Sequence, residues 1–330
     1  MKIAVFSSKR YNRIFLSQIN EAKHEIMFFE EALKAQTAKL AQGFDAVCIF
    51  VNDTVCAETI ACLKSEKVGC IALRCAGFNN VDLKAAEAAN ISVFRVPRYS
   101  PHAVAEHTAA LLLAVNRKIH RAHSRVREGN FSIDGLLGFD LHGKTIGLIG
   151  SGAIGTAMAR IALGFGMRVL MHDPYPSAEC QSLDVNWVGI PDLILQADII
   201  SLHCPLLPST HHIIDDSLIE QMKTGVIIIN TSRGASIDTK ALIRGLKARK
   251  IGAVGLDVYE EEENLFFEDR SDQIIDDEVF SRLLTFPNVL ITSHQAFFTE
   301  EALERIASVT LANLEAWKNG DPLENAVNSI

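Results

Sequence analysis

The stretch Thr145-Ile146-Gly147-Leu148-Ile149-Gly150-Ser151-Gly152-Ala153-Ile154-Gly155 decides the fold. Its first five residues form a short apolar run, Gly150 to Gly155 spell Gly-x-Gly-x-x-Gly, and Thr156–Leu163 is rich in good helix formers. Strand, glycine turn and helix in that order are the context in which this motif cradles a dinucleotide. The first glycine permits the turn, the second lets the backbone approach a pyrophosphate, and the third lets helix and strand pack closely. Gly150, Gly152, Ala153, Ile154 and Gly155 are therefore the expected phosphate cradle, at a helix N-terminus whose unpaired N–H groups favour anions. Alone, the motif also fits a glycine-rich turn with no ligand.

Asp173 narrows that choice. It lies eighteen residues after Gly155, at the end of the apolar run Arg168–His172. A carboxylate there would accept hydrogen bonds from an adenosine ribose and repel a 2′-phosphate. Neither Lys nor Arg occurs from Pro174 to Met222, so no local cation compensates. The expected cofactor is NAD rather than NADP.

Outward from the motif, apolar runs alternate with helical stretches. One series comprises Ile3–Phe6, Ala46–Val51, Cys70–Leu73 and Ser92–Val96. A second comprises Thr145–Gly150, Arg168–His172, Asp198–His203, Val226–Asn230, Ala253–Asp257 and Val289–Thr292. Near-continuous apolar runs of this kind read as parallel strands covered by helices on both faces. Two series in 330 residues predict an α/β protein of two doubly wound parallel-sheet domains. Between them, Ser100 and Pro101 carry helix-start chemistry, and Val104, Thr108, Leu111, Leu112, Val115 and Ile119 recur at helical spacing. That pattern predicts one helix over 101 to about 121. Thr299, Glu300 and Glu301 open a second, with an apolar stripe of Leu303, Ile306, Leu314 and Trp317.

Composition removes several function classes. A net charge of −8 opposes a nucleic-acid partner, and no apolar stretch approaches the ~20 residues of a membrane span. Met1–Phe6 reads as a strand rather than a secretory signal. The seven cysteines lack a Cys-x-x-Cys pair, and Cys48, Cys70 and Cys204 sit in or beside apolar runs, as reduced thiols of a cytoplasmic protein do. His211-His212, His102 with His107, and His120 with His123 lack further ligands at metal spacing, so no metal site is expected.

Chemistry-bearing groups cluster at strand ends of the second series, in Asn230-Thr231-Ser232-Arg233-Gly234, Gly255-Leu256-Asp257-Val258-Tyr259-Glu260 and Thr292-Ser293-His294-Gln295-Ala296. Taken singly, Arg233 also fits a surface arginine, His294 a structural histidine, and Glu262 a member of the solvated run Glu260–Glu263. In combination with Leu73-Arg74-Cys75-Ala76-Gly77-Phe78-Asn79-Asn80, Ala103-Val104-Ala105-Glu106-His107, Ser201-Leu202-His203-Cys204-Pro205-Leu206 and Ser293-His294-Gln295-Ala296-Phe297, they give a sequence that resembles the D-isomer-specific 2-hydroxyacid dehydrogenases. The insert Asp257–Asp269 resembles the fermentative D-lactate dehydrogenase branch.

The resemblance implies a flavodoxin-like substrate domain of residues 1–100 completed by 298–330, and a Rossmann domain of 101–297, with reaction in the cleft between them. It implies reversible reduction of pyruvate to D-lactate with NADH, in a homodimer or homotetramer whose interface uses the helix after Ser100. Arg233 would bind and polarise the substrate, His294 would act as acid and base, and Glu262 would raise the pKa of His294. Ala76, Gly77, Tyr99 and Phe297 would surround the substrate. Cys204, Pro205, Thr210, Thr231, Ser232, Arg233 and Asp257 would line the nicotinamide half of the cofactor. Thr210 departs from the branch, which often has asparagine there. Two other readings stay open: a bulkier 2-keto acid, decided by volume near Val51, Tyr99 and Phe297, and a dinucleotide-sensing scaffold without turnover.

Overall fold

The apolar runs become parallel strands in a computed structural model that describes every residue except Ala22, Lys23, Glu263, Asn264, Leu323 and Ile330. Glu263 of the acidic run thus lies outside the described residues. The chain divides into two compact units, Met1–Ser100 with Phe298–Ile330, and Pro101–Phe297.

In the first unit, β1 (Lys2–Val5), β2 (Glu25–Phe28), β3 (Ala46–Ile49), β4 (Cys70–Leu73) and β5 (Ser92–Phe94) form a five-stranded sheet in the order β2-β1-β3-β4-β5. The order reverses between β1 and β3, the kind of switch point at which doubly wound sheets bind ligands. The helix Glu300–Asn319 is capped by the Thr299 hydroxyl, which accepts from the Ala302 amide, and ends at Gly320 in the left-handed region. It packs Ala307, Leu311, Leu314 and Trp317 against Ile3, Val5, Cys48 and Ala72 of the sheet.

In the second unit, β6 (Thr145–Ile149), β7 (Arg168–His172), β8 (Asn186–Trp187), β9 (Ile199–Leu202), β10 (Val226–Asn230), β11 (Ile251–Leu256) and β12 (Val289–Ile291) form a seven-stranded sheet. Its order is β12-β11-β10-β9-β6-β7-β8. Here the reversal falls between β6 and β9, directly beside the glycine turn. The described strands β6, β9 and β10 are buried along their whole length, which is why they read as unbroken apolar runs.

One expectation fails. The helix expected over 101–121 is two, Pro101–Arg117 and Ile119–Arg127, broken at Lys118 with φ +51°. A left-handed lysine costs about 1–2 kcal/mol. Offsetting bonds come from the following segment: Asn116 exchanges two hydrogen bonds with the Phe139 backbone at 2.7 and 3.0 Å, and the Lys118 ammonium donates to the Leu137 carbonyl at 2.6 Å. Helical periodicity carries no trace of partners some twenty residues away.

Candidate active site

The glycine turn divides its labour as the motif requires. Gly150 has φ +107°, and a Cβ there would stand 2.6 Å from the His203 carbonyl. A Cβ on Gly155 would stand 2.0 Å from the Gly150 oxygen, so that glycine sets how closely the helix Ala153–Gly164 meets β6. A Cβ on Gly152 would meet nothing within 4 Å. Folding therefore gives no reason for glycine at 152, whereas a pyrophosphate approaching the backbone does. The helix begins at Gly152 without a side-chain cap, leaving its first N–H groups for an anion. Asp173 is brought to this turn and accepts from the Ser151 amide and hydroxyl at 2.6 and 3.0 Å. These residues fit a dinucleotide.

Beneath the turn lies His203, whose Nε2 pairs with the Ser201 hydroxyl at 3.0 Å while Nδ1 is buried without a partner among the described residues. Burial pushes this imidazole down to about 4. Burial likewise pushes the neighbouring Cys204 thiol up to about 11, which keeps it protonated. The Cys204 carbonyl accepts from the Ser232 hydroxyl, tying the end of β9 to the end of β10. Thr210 turns its hydroxyl into its own loop, donating to the Pro205 carbonyl and accepting from the Leu207 amide.

Arg233 follows β10 in a tight turn, where the Asn230 side chain donates to the Arg233 carbonyl and accepts from the Ser232 amide. A Cβ on Gly234 would stand 2.0 Å from the Tyr259 carbonyl, so the arginine turn lies directly on the segment that follows β11. The half-buried guanidinium donates to the Ser232 carbonyl and has no carboxylate partner among the described residues. Its remaining N–H groups are free for an anionic substrate.

His294 and Glu262 meet: Nδ1 lies 2.7 Å from Glu262 Oε1, with both side chains about one-fifth exposed. The second Glu262 oxygen accepts from the Tyr259 amide at 2.9 Å, so the carboxylate is fixed at both oxygens. His294 itself sits at φ +52°, a strained conformation for a residue with a side chain. Asp257, fully buried at the end of β11, holds it there. The Asp257 carbonyl accepts from the His294 amide at 2.7 Å, and its carboxylate accepts from the Gln295 and Ala296 amides at 2.9 and 2.8 Å. Burial alone would raise the Asp257 carboxyl, but hydrogen bonds from His107, Thr292 and the two amides outweigh it and hold the group below its ordinary value.

The D-isomer specific 2-hydroxyacid dehydrogenase, NAD binding domain, matches residues 109–296. The chain is 52% identical to D-lactate dehydrogenase of Escherichia coli over 98% of its length and 99% of that protein. The structure of the pyruvate reductase of Chlamydomonas reinhardtii superposes with a TM-score of 0.93 at 42% identity, covering 98% of each chain. D-lactate dehydrogenase of Aquifex aeolicus, complexed with NAD and lactic acid, gives 0.88 at 31% identity over 99% of each chain. The chain belongs to the D-isomer specific 2-hydroxyacid dehydrogenase family. It is accordingly an NAD-dependent oxidoreductase, and the match to the family's NAD-binding domain falls within its second unit.

Within this dehydrogenase, sequence reading alone missed His107 as part of the site. Its Nε2 lies 3.1 Å from the Thr292 hydroxyl and 3.4 Å from Asp257. In sequence it is one of several polar residues of the helix Pro101–Arg117, beside Glu106 and Thr108, and nothing local marks its distant partners. Ser151 was missed for the same reason, since its partner is Asp173. His212, which has no acidic neighbour at metal-ligand spacing in the sequence, places its Nε2 2.6 Å from Glu260 across 48 residues. Ala76, Gly77 and Tyr99 lie in the first unit, and Phe297, 7% exposed, closes the second. Among the described residues no helix is long and apolar enough to cross a membrane.

Proposed function

We propose that this dehydrogenase reduces pyruvate to D-lactate, with Arg233, Glu262 and His294 as its catalytic set. The observation that carries the assignment is the 2.7 Å pairing of His294 Nδ1 with Glu262, which leaves Nε2 without a partner among the described residues. Gly150–Gly155 and Asp173 would hold NADH, which would supply the hydride. The Arg233 fork binds the carboxylate and polarises the ketone. Protonated His294 gives its Nε2 proton to the developing alkoxide, and Glu262 balances the charge on the ring. In the reverse direction neutral His294 accepts that proton. Cys204, Pro205, Thr210, Thr231, Ser232 and Asp257 border the nicotinamide side. The first unit serves as the substrate domain, its Ala76 and Gly77 backbone receiving the carboxylate, with Tyr99 as its further substrate residue.

The relatives named as D-lactate dehydrogenase and pyruvate reductase support pyruvate over a bulkier acid. Turnover with pyruvate against phenylpyruvate, with chiral analysis of the product, tests this; preferred turnover of phenylpyruvate or an L product refutes it. His294→Asn should abolish turnover and leave NADH binding intact, and loss of both would assign His294 a structural role instead.

The enzyme also works as a homo-oligomer in this reading. Support comes from Phe131, Ile133 and Leu137, which are 76%, 81% and 87% exposed in the segment after the helix Ile119–Arg127. Isolated exposed apolar residues are ordinary, but three this exposed within seven residues fit a covered face. A monomeric mass in solution refutes it. The seven free thiols support a reducing, cytoplasmic setting.

A further inference from the structure

The loop Cys75–Asn80 is gripped by two arginines that take no part in proton or hydride transfer. Arg74, 1% exposed, reaches across the carbonyl ends of the sheet at its switch point. Its Nη2 donates to the carbonyls of Phe6 and Ser7 at 2.7 and 2.8 Å, its Nη1 to that of Cys48 at 3.3 Å, and the group lies 5.2 Å over the Phe50 ring. The far end of the loop is tied to the same region, because the Asn80 side chain donates to the carbonyls of Phe50 and Asp53 at 2.9 and 2.8 Å. Asp53, also 1% exposed, is fixed by the Ser7 hydroxyl and the Leu33 and Phe50 amides.

Between these ends stands Arg95. Its Nη1 donates to the Ala76 carbonyl at 3.2 Å, and its guanidinium lies 5.2 Å over the Phe78 ring. Its own backbone is held by the C-terminal part of the unit: the Asn313 side chain donates to its carbonyl, and its amide donates to the Asn325 carbonyl. The Ala76–Gly77 peptide is planar and trans, so its N–H points opposite to its C=O. Holding the Ala76 oxygen therefore sets the direction of the Gly77 N–H.

We propose that Arg95 is a positioning residue for the substrate: it aims the Gly77 N–H at the substrate carboxylate, while Arg74 and Asn80 fix the ends of the loop. This rests on the reading above that the loop receives the carboxylate. Arg95 is half-buried and replaceable, whereas Arg74 carries too many backbone contacts for a clean variant.

The test compares Arg95→Ala, Arg95→Lys and Gly77→Val in the full-length enzyme. Loss of one charge-assisted hydrogen bond predicts that Arg95→Ala raises KM for pyruvate about tenfold. The inhibition constant of oxamate, an unreactive keto-acid analogue, should rise in parallel, with kcat and the NADH Kd unchanged. Arg95→Lys, which keeps a donor for the Ala76 oxygen, should recover most of the loss. An unchanged KM in Arg95→Ala overturns the proposal, as does a fall in NADH affinity or kcat equal to the KM effect, which marks a general structural role. Gly77→Val separates the two readings. If it raises KM while Arg95→Ala does not, Arg95 alone is wrongly assigned; if neither does, the loop is not the carboxylate site.

Discussion

Buried His203 makes the NAD-binding domain sensitive to acid in a way that one substitution removes. An imidazole that titrates at 6.5 when unfolded and at about 4 when folded stays neutral in the native state while the unfolded chain takes up a proton. Its contribution is fully present above 6.5 and is lost as pH falls through that window toward 4. At 1.36 kcal/mol per pH unit, the native state loses about 2 kcal/mol by pH 5 and about 3 kcal/mol by pH 4. Replacement by glutamine removes the titration, and a side-chain amide can still bond the Ser201 hydroxyl that now sits 3.0 Å from Nε2. The two tryptophans supply the assay, because Trp187 lies in β8 of the second unit and Trp317 in the first. In a Trp317→Phe background, fluorescence-detected urea unfolding reports on the NAD-binding domain alone. The stability difference between parent and His203→Gln should change by about 2 kcal/mol between pH 7.5 and pH 5, with the parent losing more. Curves that shift together to within about 0.5 kcal/mol would show that the native imidazole takes up its proton freely, and the burial argument would be wrong.

Three further outcomes follow from the site. Gly152→Val should leave the melting temperature unchanged but weaken NADH binding, since the new side chain meets only the space beside the turn; Gly155→Ala should destabilise the domain by about 2–3 kcal/mol through its contact with the Gly150 oxygen. Calorimetry with and without NADH separates the two. Asp173→Ala should raise KM for NADH about tenfold and improve NADPH relative to NADH, because both a ribose acceptor and a repelling charge are removed; an unchanged cofactor ratio in steady-state kinetics would exclude Asp173 from the adenosine site. Glu262→Gln keeps a partner for His294 Nδ1 but removes the charge that balances the protonated ring, so kcat for pyruvate reduction should fall at least about tenfold. A kcat equal to the parent's would break the proposed pairing.

What could be read from sequence depended on how far each residue's partner lies along the chain. Strands buried on both faces, such as β4 and β10, announce themselves as apolar runs. The edge strands β5 and β12 do so as well, but β2 and β8 do not: β2 alternates between exposed and half-buried positions, and β8 is two residues long. The same distinction divides the site. Gly155 must be glycine because of Gly150, five residues away, so the requirement is written inside one motif. Gly234 must be glycine because of the Tyr259 carbonyl, and nothing in Asn230–Gly234 records that. His107 reaches Thr292 across 185 residues, and only the folded sheet brings helix, β11 and β12 to one carboxylate. His294 and Glu262 could be named from sequence only through the family's pattern. Their local residues explain neither the left-handed backbone at His294 nor the two bonds that fix Glu262. Those constraints come from Asp257 and Tyr259, which sit at and just beyond the end of one central strand. The His294–Glu262 pair is therefore as rigid as β11 makes it, and this explains why a fully buried aspartate, costly to desolvate, is held there ionised by four donors.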